Sequence, residues 1–262
     1  AIDADRQRTG RFLLLGSVSP SLMRTVSESL AGRLAVVELT PFLAVELDAT
    51  SLDDLWLRGG YPDGGILDAR TFGVWQRDYV QLLAQRDLPS WGLPARPETT
   101  DRLLRMVAAV HGQQWNASQI GQSLGLTHPT VNTYMDYLEG AFLVRCLRPY
   151  QANLTKRLTK RPKYYWRDSG LLHTLLRVPT FDDLLGQPWV GASWEGFAVE
   201  QITSVFQQRD PLAEPHFFRT SDGHELDLLV DTQGGRWAFE VKLTAAPDAG
   251  HARRLNQAAD LV

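Results

Sequence analysis

The sequence predicts a mixed α/β chain of several domains, and three observations support this. Two continuous apolar runs near the start, "RFLLLGS" and "LAVVELTPF", have the composition of buried parallel strands rather than of strands with one solvated face. Residues 98–150 show helical periodicity and then a strand-like run. Residues 167–262 combine amphipathic helices with strand-like segments, which predicts an α/β sandwich around a mixed sheet.

Residues 1–45 are predicted to be the end of an α/β domain. Between the two apolar runs, the sequence predicts a helix that begins at Ser19, has Pro20 in its first position and ends at Gly32. No βα unit precedes the first strand, and "HARRLNQAADLV" breaks off within a helical pattern. We therefore expect the chain to be a fragment of a longer protein.

Residues 46–97 are predicted to form a helical lid and a linker. Helical periodicity there alternates with Gly- and Pro-rich breaks, "RGGYPDGG" and "LPSWGLPARP".

Residues 98–166 are predicted to form a winged-helix domain. The segments "TDRLLRMVAAVHG", "NASQIGQSLGL" and "THPTVNTYMDYLEG" predict three helices, of which the second is capped by Asn116 and closed by Gly125 and the third is capped by Thr127. Two helices joined by a tight Gly-containing turn are typical of helix-turn-helix proteins, and the strand that follows predicts a wing.

The charged residues of this domain do not decide whether it binds DNA or a protein. A DNA reader needs Lys or Arg for phosphates and Arg, Asn or Gln for base edges. The chain has no Lys or Arg between His111 and Val144, and only Asn132 and Thr133 would be placed to touch bases. DNA recognition and a role in binding a protein partner are both compatible with this pattern.

Basic charge is concentrated in the next segment, "KRLTKRPK". A solvated loop is one interpretation of such a run. The other is a patch that contacts nucleic-acid phosphates, formed by Lys156, Arg157, Lys160, Arg161 and Lys163. Binding through this patch would be weak and insensitive to base sequence.

Net charge, cysteine content and the length of the apolar runs indicate which partners and which compartment to expect. The formal net charge is -3, so any attraction to nucleic acid must come from a local patch. Cys146 is the single cysteine, which favours a reducing cytoplasm, and no apolar run approaches the length of a membrane span.

In residues 167–262 two strand-like segments, "HELDLLVDT" and "GRWAFEVKL", are joined by a Gly-Gly turn. This hairpin brings Asp227 close to Glu240 and Lys242, which lie in an otherwise apolar stretch. The preceding amphipathic helix carries Glu195. These charges are either ordinary solvent-facing groups or the members of a metal site.

Several stretches resemble one family, namely "LLLGSVSPSLMRTVSESLAGR", "LRGGYPDGG", "YVQLLAQRDL" and "KRPKYYWRDSGLL". They are similar to prokaryotic AAA-type ATPases that carry a C-terminal domain of unknown function. The resemblance implies a P-loop ATPase core, a winged helix and a module similar to PD-(D/E)XK nucleases, which are restriction-endonuclease-like α/β domains. It further implies that Ser17 is a sensor of the γ-phosphate and that Arg33 contacts nucleotide phosphate. No G-x-x-x-x-G-K-[ST] motif occurs in this sequence, so ATP binding is expected in the full-length parent only.

The same resemblance implies a nuclease-like site. Asp227 and Glu240 would hold Mg²⁺, Lys242 would face the scissile phosphate, and Glu195 would add a further acid. The sequence departs from the family pattern because "HELDLL" offers both Glu225 and Asp227 and no Pro-Asp pair. A catalytically silent descendant of the fold therefore stays open beside an active site.

Two function classes follow from these features. One is ATP-dependent DNA processing by cooperating ATPase, winged-helix and nuclease-like modules. The other is a regulatory or protein-interaction assembly. Asp227, Glu240 and Lys242, together with the basic run "KRLTKRPK", favour the first, and the lack of basic residues on the third helix favours the second.

Overall fold

The computed structural model describes residues 37–47, 51–151 and 161–262, together with the single residues 10, 13 and 35. Most of the predicted ATPase segment, including Ser17 and Arg33, lies outside these residues. So do Lys156, Arg157 and Lys160 of the basic run.

Short helices form the first described part of the chain. Helix α1, Leu52–Arg58, begins after Ser51, whose side chain accepts a hydrogen bond from the Asp54 amide, and it ends at Gly59, which has a φ of 76°. Helix α2, Val74–Leu82, continues through a π-helical turn, Leu83–Asp87, into Leu88–Ser90. Short 3₁₀ turns lie at Ala44–Glu46, Pro62–Gly64 and Ala69–Thr71.

The three predicted helices of the next part are present. They are α3, Pro97–Ala109; α4, Ala117–Leu124; and α5, His128–Gly140. The predicted caps are confirmed, because the Asn116 side chain accepts from the Gln119 amide, Thr127 accepts from the Thr130 amide, and Gly125 closes α4 with a φ of 68°. The side chains of Asn116 and Thr127 thus bind backbone amides that have no partner inside their helix.

A five-stranded mixed sheet lies at the centre of the described chain, which confirms the mixed α/β class. The strands are β1, Val144–Pro149; β2, Lys163–Trp166; β3, Glu214–Arg219; β4, Glu225–Thr232; and β5, Gly235–Phe239. Their order is β2-β1-β3-β4-β5. Strand β1 pairs antiparallel with β2 and parallel with β3, and β3, β4 and β5 form an antiparallel meander.

Helices cover both faces of this sheet. Helix α6 is Ser169–Leu175, α7 is Phe181–Leu185, α8 is Val190–Arg209 and α9 is Ala249–Ala259. Val199 of α8 packs in one core cluster with Phe217 and Leu228, whereas Ala258 of α9 packs in another with Phe218 and Leu229. The described part of the chain is therefore mixed α/β, while a separate C-terminal α/β domain stays a prediction.

The largest apolar cluster given by the described residues continues across two predicted domain boundaries, 97/98 and 166/167. It contains Val80 of α2, Leu103 of α3, Val144 of β1, Trp166 of β2 and Leu171 of α6. The domain limits therefore stay a prediction, while the core itself is shared. None of the helices in the described ranges is both long enough and apolar enough to cross a lipid bilayer.

Candidate functional site

The β4–β5 hairpin brings Asp227 together with Glu240 and Lys242. Leu228 of β4 pairs with Phe239, the last residue of β5, so Glu240 follows the end of that strand opposite Asp227. The Lys242 ammonium lies 2.6 Å from Glu240 Oε1 and 3.6 Å from Asp227 Oδ2. The backbone amide of Val241 also donates to Asp227 Oδ2, at 2.8 Å. The three residues expected from the sequence thus form one contact group.

A second contact group surrounds Glu195 of α8. Glu195 Oε1 accepts hydrogen bonds from the Lys163 ammonium at 3.0 Å and from the Tyr165 hydroxyl at 2.5 Å. The same ammonium lies 3.4 Å from Glu225 Oε1, and Arg219 contacts the other oxygen of Glu225 at 3.6 Å. Lys163 therefore bridges an acid on α8 and an acid on β4.

The charges of the two contact groups influence one another's pKa values. Burial alone would lower the pKa of Lys163, but Glu195, Glu225 and Asp227 outweigh it and raise that pKa. Burial raises the pKa of Glu195; Lys163 opposes this shift, and the negative charge of Asp227 adds to it. For Lys242, burial lowers the pKa, but its hydrogen bond to Glu240 and the charge of Asp227 raise it overall. Asp227 thus influences both groups.

We call the four acids and two lysines the carboxylate cluster; its members are Glu195, Glu225, Asp227, Glu240, Lys163 and Lys242. Asp227 is buried, with 5% of its surface exposed. Glu240 and Lys242 line a cavity of about 330 Å³ whose opposite wall is the start of α9, including Asp248 and His251. This cavity gives a small ligand access to one end of the cluster.

The carboxylates offer the oxygen ligands that Mg²⁺ prefers. In the described ranges, however, no group of three or more His, Cys, Asp or Glu side chains is arranged to hold a metal ion. Instead an ammonium lies between two carboxylates twice, Lys242 between Asp227 and Glu240, and Lys163 between Glu195 and Glu225. The position of Lys242 shows that a positive charge is stabilised between Asp227 and Glu240, so this pair fits a cation in charge and in ligand type.

The structure describes two residues of the predicted basic patch, Arg161 and Lys163, and they differ in exposure. Arg161 is exposed. Lys163, which the sequence assigned to the same phosphate-contacting patch, has only 6% of its side chain exposed, and its ammonium is held by two glutamates. In the helical part, Asn132 accepts a hydrogen bond from Trp115 Nε1 at 3.0 Å, so its carbonyl oxygen is already in use.

Lys163 and Tyr165 were not predicted to belong to this site. Both lie in β2, a strand of four buried residues, and alternate positions of a strand share one face. A lysine in the otherwise aromatic strand "KYYW" was the available signal, because a buried ammonium requires an acid as partner.

Comparisons with known proteins found two matching family models and two similar proteins. A family model described as Domain of unknown function (DUF8612) matches residues 49–182, and another described as Domain of unknown function (DUF4143) matches residues 190–262. Two similar proteins, both described as uncharacterized, come from Mycobacterium tuberculosis and Mycobacterium bovis. Each is 38% identical over 247 residues, which is 93% of this chain and 55% of the relative.

The chain therefore spans about half the length of the curated relatives it matches. No solved structure matches it. Since the first family model covers half of the sequence, the chain belongs to the family described as Domain of unknown function (DUF8612).

Proposed function

We propose that this chain works in the cytoplasm as part of an AAA-type ATPase and that its C-terminal half is a nuclease-like module acting on DNA. One observation supports the proposal most strongly. Asp227 on β4 and Glu240 directly after β5 lie with Lys242 in a single contact group, and Glu195 approaches the same region from α8. The resemblance to AAA-type ATPases suggests that ATP is bound elsewhere in the full-length protein.

Each residue has a distinct role in this proposal. Asp227 and Glu240 would hold the metal, and the Val241 amide donates to one oxygen of Asp227, so that the carboxylate keeps its orientation. Lys242 is half-buried and already carries its proton, so it can pair with a negatively charged phosphate oxygen. Glu195, oriented by Lys163 and Tyr165, adds negative potential near Asp227.

A bound Mg²⁺ would supply Lewis-acid polarisation of the phosphate and a lower pKa for its bound water. The two carboxylates would supply only some of the oxygen ligands that Mg²⁺ takes, so water and DNA phosphate oxygens would supply the others. We therefore expect modest metal affinity in the absence of DNA.

A second function is favoured by the two lysines. With Lys242 and Lys163 in place, the four acids have ammonium partners within the protein itself, and the cluster can be stable without a metal. In this alternative the fold is catalytically silent and the chain is a regulatory or protein-interaction module.

Metal binding and DNA nicking distinguish the two functions. We expect the whole chain to bind Mn²⁺, measured by calorimetry, and to nick supercoiled plasmid in its presence. Asp227→Asn and Glu240→Gln remove one negative charge each without changing shape, so both should weaken Mn²⁺ binding roughly tenfold or more and abolish nicking.

Asp231→Asn is the matched control, because Asp231 lies on the same strand and pairs instead with Arg236 at 3.7 Å. It should leave Mn²⁺ affinity and nicking unchanged. If the wild type and all three variants bind Mn²⁺ equally, or the wild type does not nick DNA, the nuclease function is wrong and the interaction module takes its place.

A further inference from the structure

A cavity of about 950 Å³ lies among the helices and includes no residue of the carboxylate cluster. One wall is formed by α2 and the π-helical turn after it, and another by the first two turns of α3. The third wall is the end of α6 and the residues that follow it, Arg177 to Pro179. Nothing in the proposed DNA chemistry uses this space.

The cavity has an apolar floor and a charged rim. Val80, Ala84, Leu175 and Val178 lie on the floor, where each is buried against the core. The rim carries four arginines and two acids, namely Arg77, Arg102, Arg105, Arg177, Glu98 and Asp101. The rim is therefore positive overall, although the whole chain is negative.

The four arginines differ in how many of their guanidinium N–H donors already have a partner. Arg105 forms two hydrogen bonds with Asp101, at 2.9 and 3.1 Å, and Arg102 donates to the Ser123 carbonyl at 2.9 Å. Arg77 makes an exposed contact of 3.5 Å with Asp78. Arg177 has no hydrogen-bond or ion-pair partner for its guanidinium in the part of the chain that the structure describes, and it is exposed. Its five N–H donors are available to a ligand.

Arg177 also has an unfavourable backbone conformation. Its φ is 60°, in the left-handed region, where it closes α6. The Arg177 amide donates to the Thr174 carbonyl at 3.1 Å and the Val178 amide to the His173 carbonyl at 2.9 Å, which is the arrangement of a Schellman helix end. Gly adopts this conformation without steric cost. A strained arginine at a cavity rim, with free donors, indicates a binding role for its side chain.

We propose that this cavity binds an acidic, partly apolar peptide segment of a protein partner, and that Arg177 is its principal anchor. The planar guanidinium matches a carboxylate through two parallel hydrogen bonds. The buried floor between α2 and α3 takes apolar side chains of the same peptide, as in grooves that receive an amphipathic segment. This binding is independent of the metal chemistry.

Nucleic acid fits the same surface less well. Glu98 and Asp101 on the rim repel a continuous row of phosphates, whereas a peptide can place its few carboxylates beside the arginines only. A sugar-phosphate backbone also has no use for the apolar floor formed by residues such as Val178.

The test starts with a phage-displayed library of short random peptides selected on the whole chain. We expect the enriched peptides to combine Asp or Glu with large apolar residues. Fluorescein-labelled copies of these peptides are then titrated against variants, and binding is followed by fluorescence anisotropy.

Arg177→Gly is the decisive variant because its two effects have opposite signs. Loss of the guanidinium should weaken peptide binding about tenfold or more, as for an interface anchor, while relief of the left-handed strain should raise Tm. Arg177→Asn, which also tolerates this conformation, should weaken binding similarly. Arg209→Asn removes an exposed charge on α8, outside the cavity, and should change neither quantity.

Three results would overturn the proposal. The first is a library that yields no binders, or only binders without acidic residues. The second is unchanged peptide affinity in Arg177→Gly. The third is a single-stranded oligonucleotide that binds in an Arg177-dependent way and displaces the peptide. Failure of DNA nicking would leave these measurements unaffected.

Discussion

Asp168 connects two parts of the chain through one buried carboxylate. Its Oδ1 accepts a hydrogen bond from the Leu171 amide at the start of α6, and its Oδ2 accepts one from the Gly60 amide, both at 2.8 Å. Gly59 passes so close that an added Cβ would lie 2.2 Å from Asp168 Oδ1. Burial raises the pKa of Asp168 to about 6, although these amides oppose the shift.

The first prediction concerns pH. Since the folded pKa lies above the unfolded value of 3.8, the folded state binds more protons between about pH 4 and pH 6. The free energy of unfolding should therefore fall as pH rises through this window, by roughly 3 kcal/mol from this residue, and stay lower above it. Urea unfolding followed at several pH values measures this slope.

Asp168→Asn serves as the comparison. The amide cannot titrate, and its NH₂ group would face the Gly60 amide, so the variant should be less stable than the wild type at low pH yet lose the slope. An equal slope in the two proteins would show that other groups cause the pH dependence.

Helix α8, which carries Glu195, is positioned by a close contact with its neighbours. Gly196 lies against His111 and Tyr165, and a Cβ on it would come within 2.1 Å of His111 Nε2. His111 is itself fixed, because its Nδ1 accepts the Trp166 amide at 3.0 Å. The absence of a side chain at Gly196 thus permits α8 to approach β2 closely enough for Glu195 to reach Lys163.

The second prediction compares two glycines of this helix. Gly196→Ala should destabilise the protein by about 1–3 kcal/mol, because a methyl group there overpacks the contact with His111. Gly191→Ala, where nothing lies within 4 Å, should be neutral or stabilise by up to about 1 kcal/mol through helix propensity. Thermal unfolding of both variants provides the measurement, and equal Tm changes would contradict the packing explanation.

Features that depend on residues close together in the chain were predictable from the sequence. Asn116 and Thr127 cap their helices as predicted, because a cap uses an amide within three residues. The closeness of Asp227 and Glu240, which share Lys242 as a partner, was likewise predictable, since a short hairpin turn and strand alternation determine it.

Contacts between distant segments were not predictable. Lys163 meets acids that are 32 and 62 residues away, and its position in a basic run favoured a surface location instead. Arg145 and Arg167 likewise enclose Glu200 across separations of 55 and 33 residues. No periodicity or spacing encodes such partners, so they had to be found in the folded molecule.

At the scale of the whole molecule, a single sheet joins the helical half to the C-terminal half. Arg148 and Pro149 of β1 pair with His216 and Phe217 of β3. The core beneath α8 also draws residues from both halves, because Leu147 and Tyr165 pack in one cluster with Val199, Phe217 and Leu228. The predicted domain boundary at 166/167 therefore cuts through a continuous sheet and core.

The third prediction follows from this continuity. A fragment comprising residues 167–262 lacks β1 and β2, so it should expose apolar side chains such as Phe217 and show no cooperative urea unfolding. The whole chain should give one coincident transition by tryptophan fluorescence and circular dichroism. A dispersed NMR spectrum and a sigmoidal unfolding curve for the fragment would contradict this expectation.

The segment 37–47 contacts the same helix that carries Glu195. Glu38 pairs with Arg167, which also binds Glu200 of α8, and the Ala44 amide donates to Gln201 at 2.7 Å. Glu200 lies five residues beyond Glu195, or roughly 7.5 Å along the helix axis. Mechanical tension on the segment 37–47 would therefore reach α8 near Glu195 as well as Arg167 directly after β2, and the spacing between Glu195 and Asp227 would respond to it.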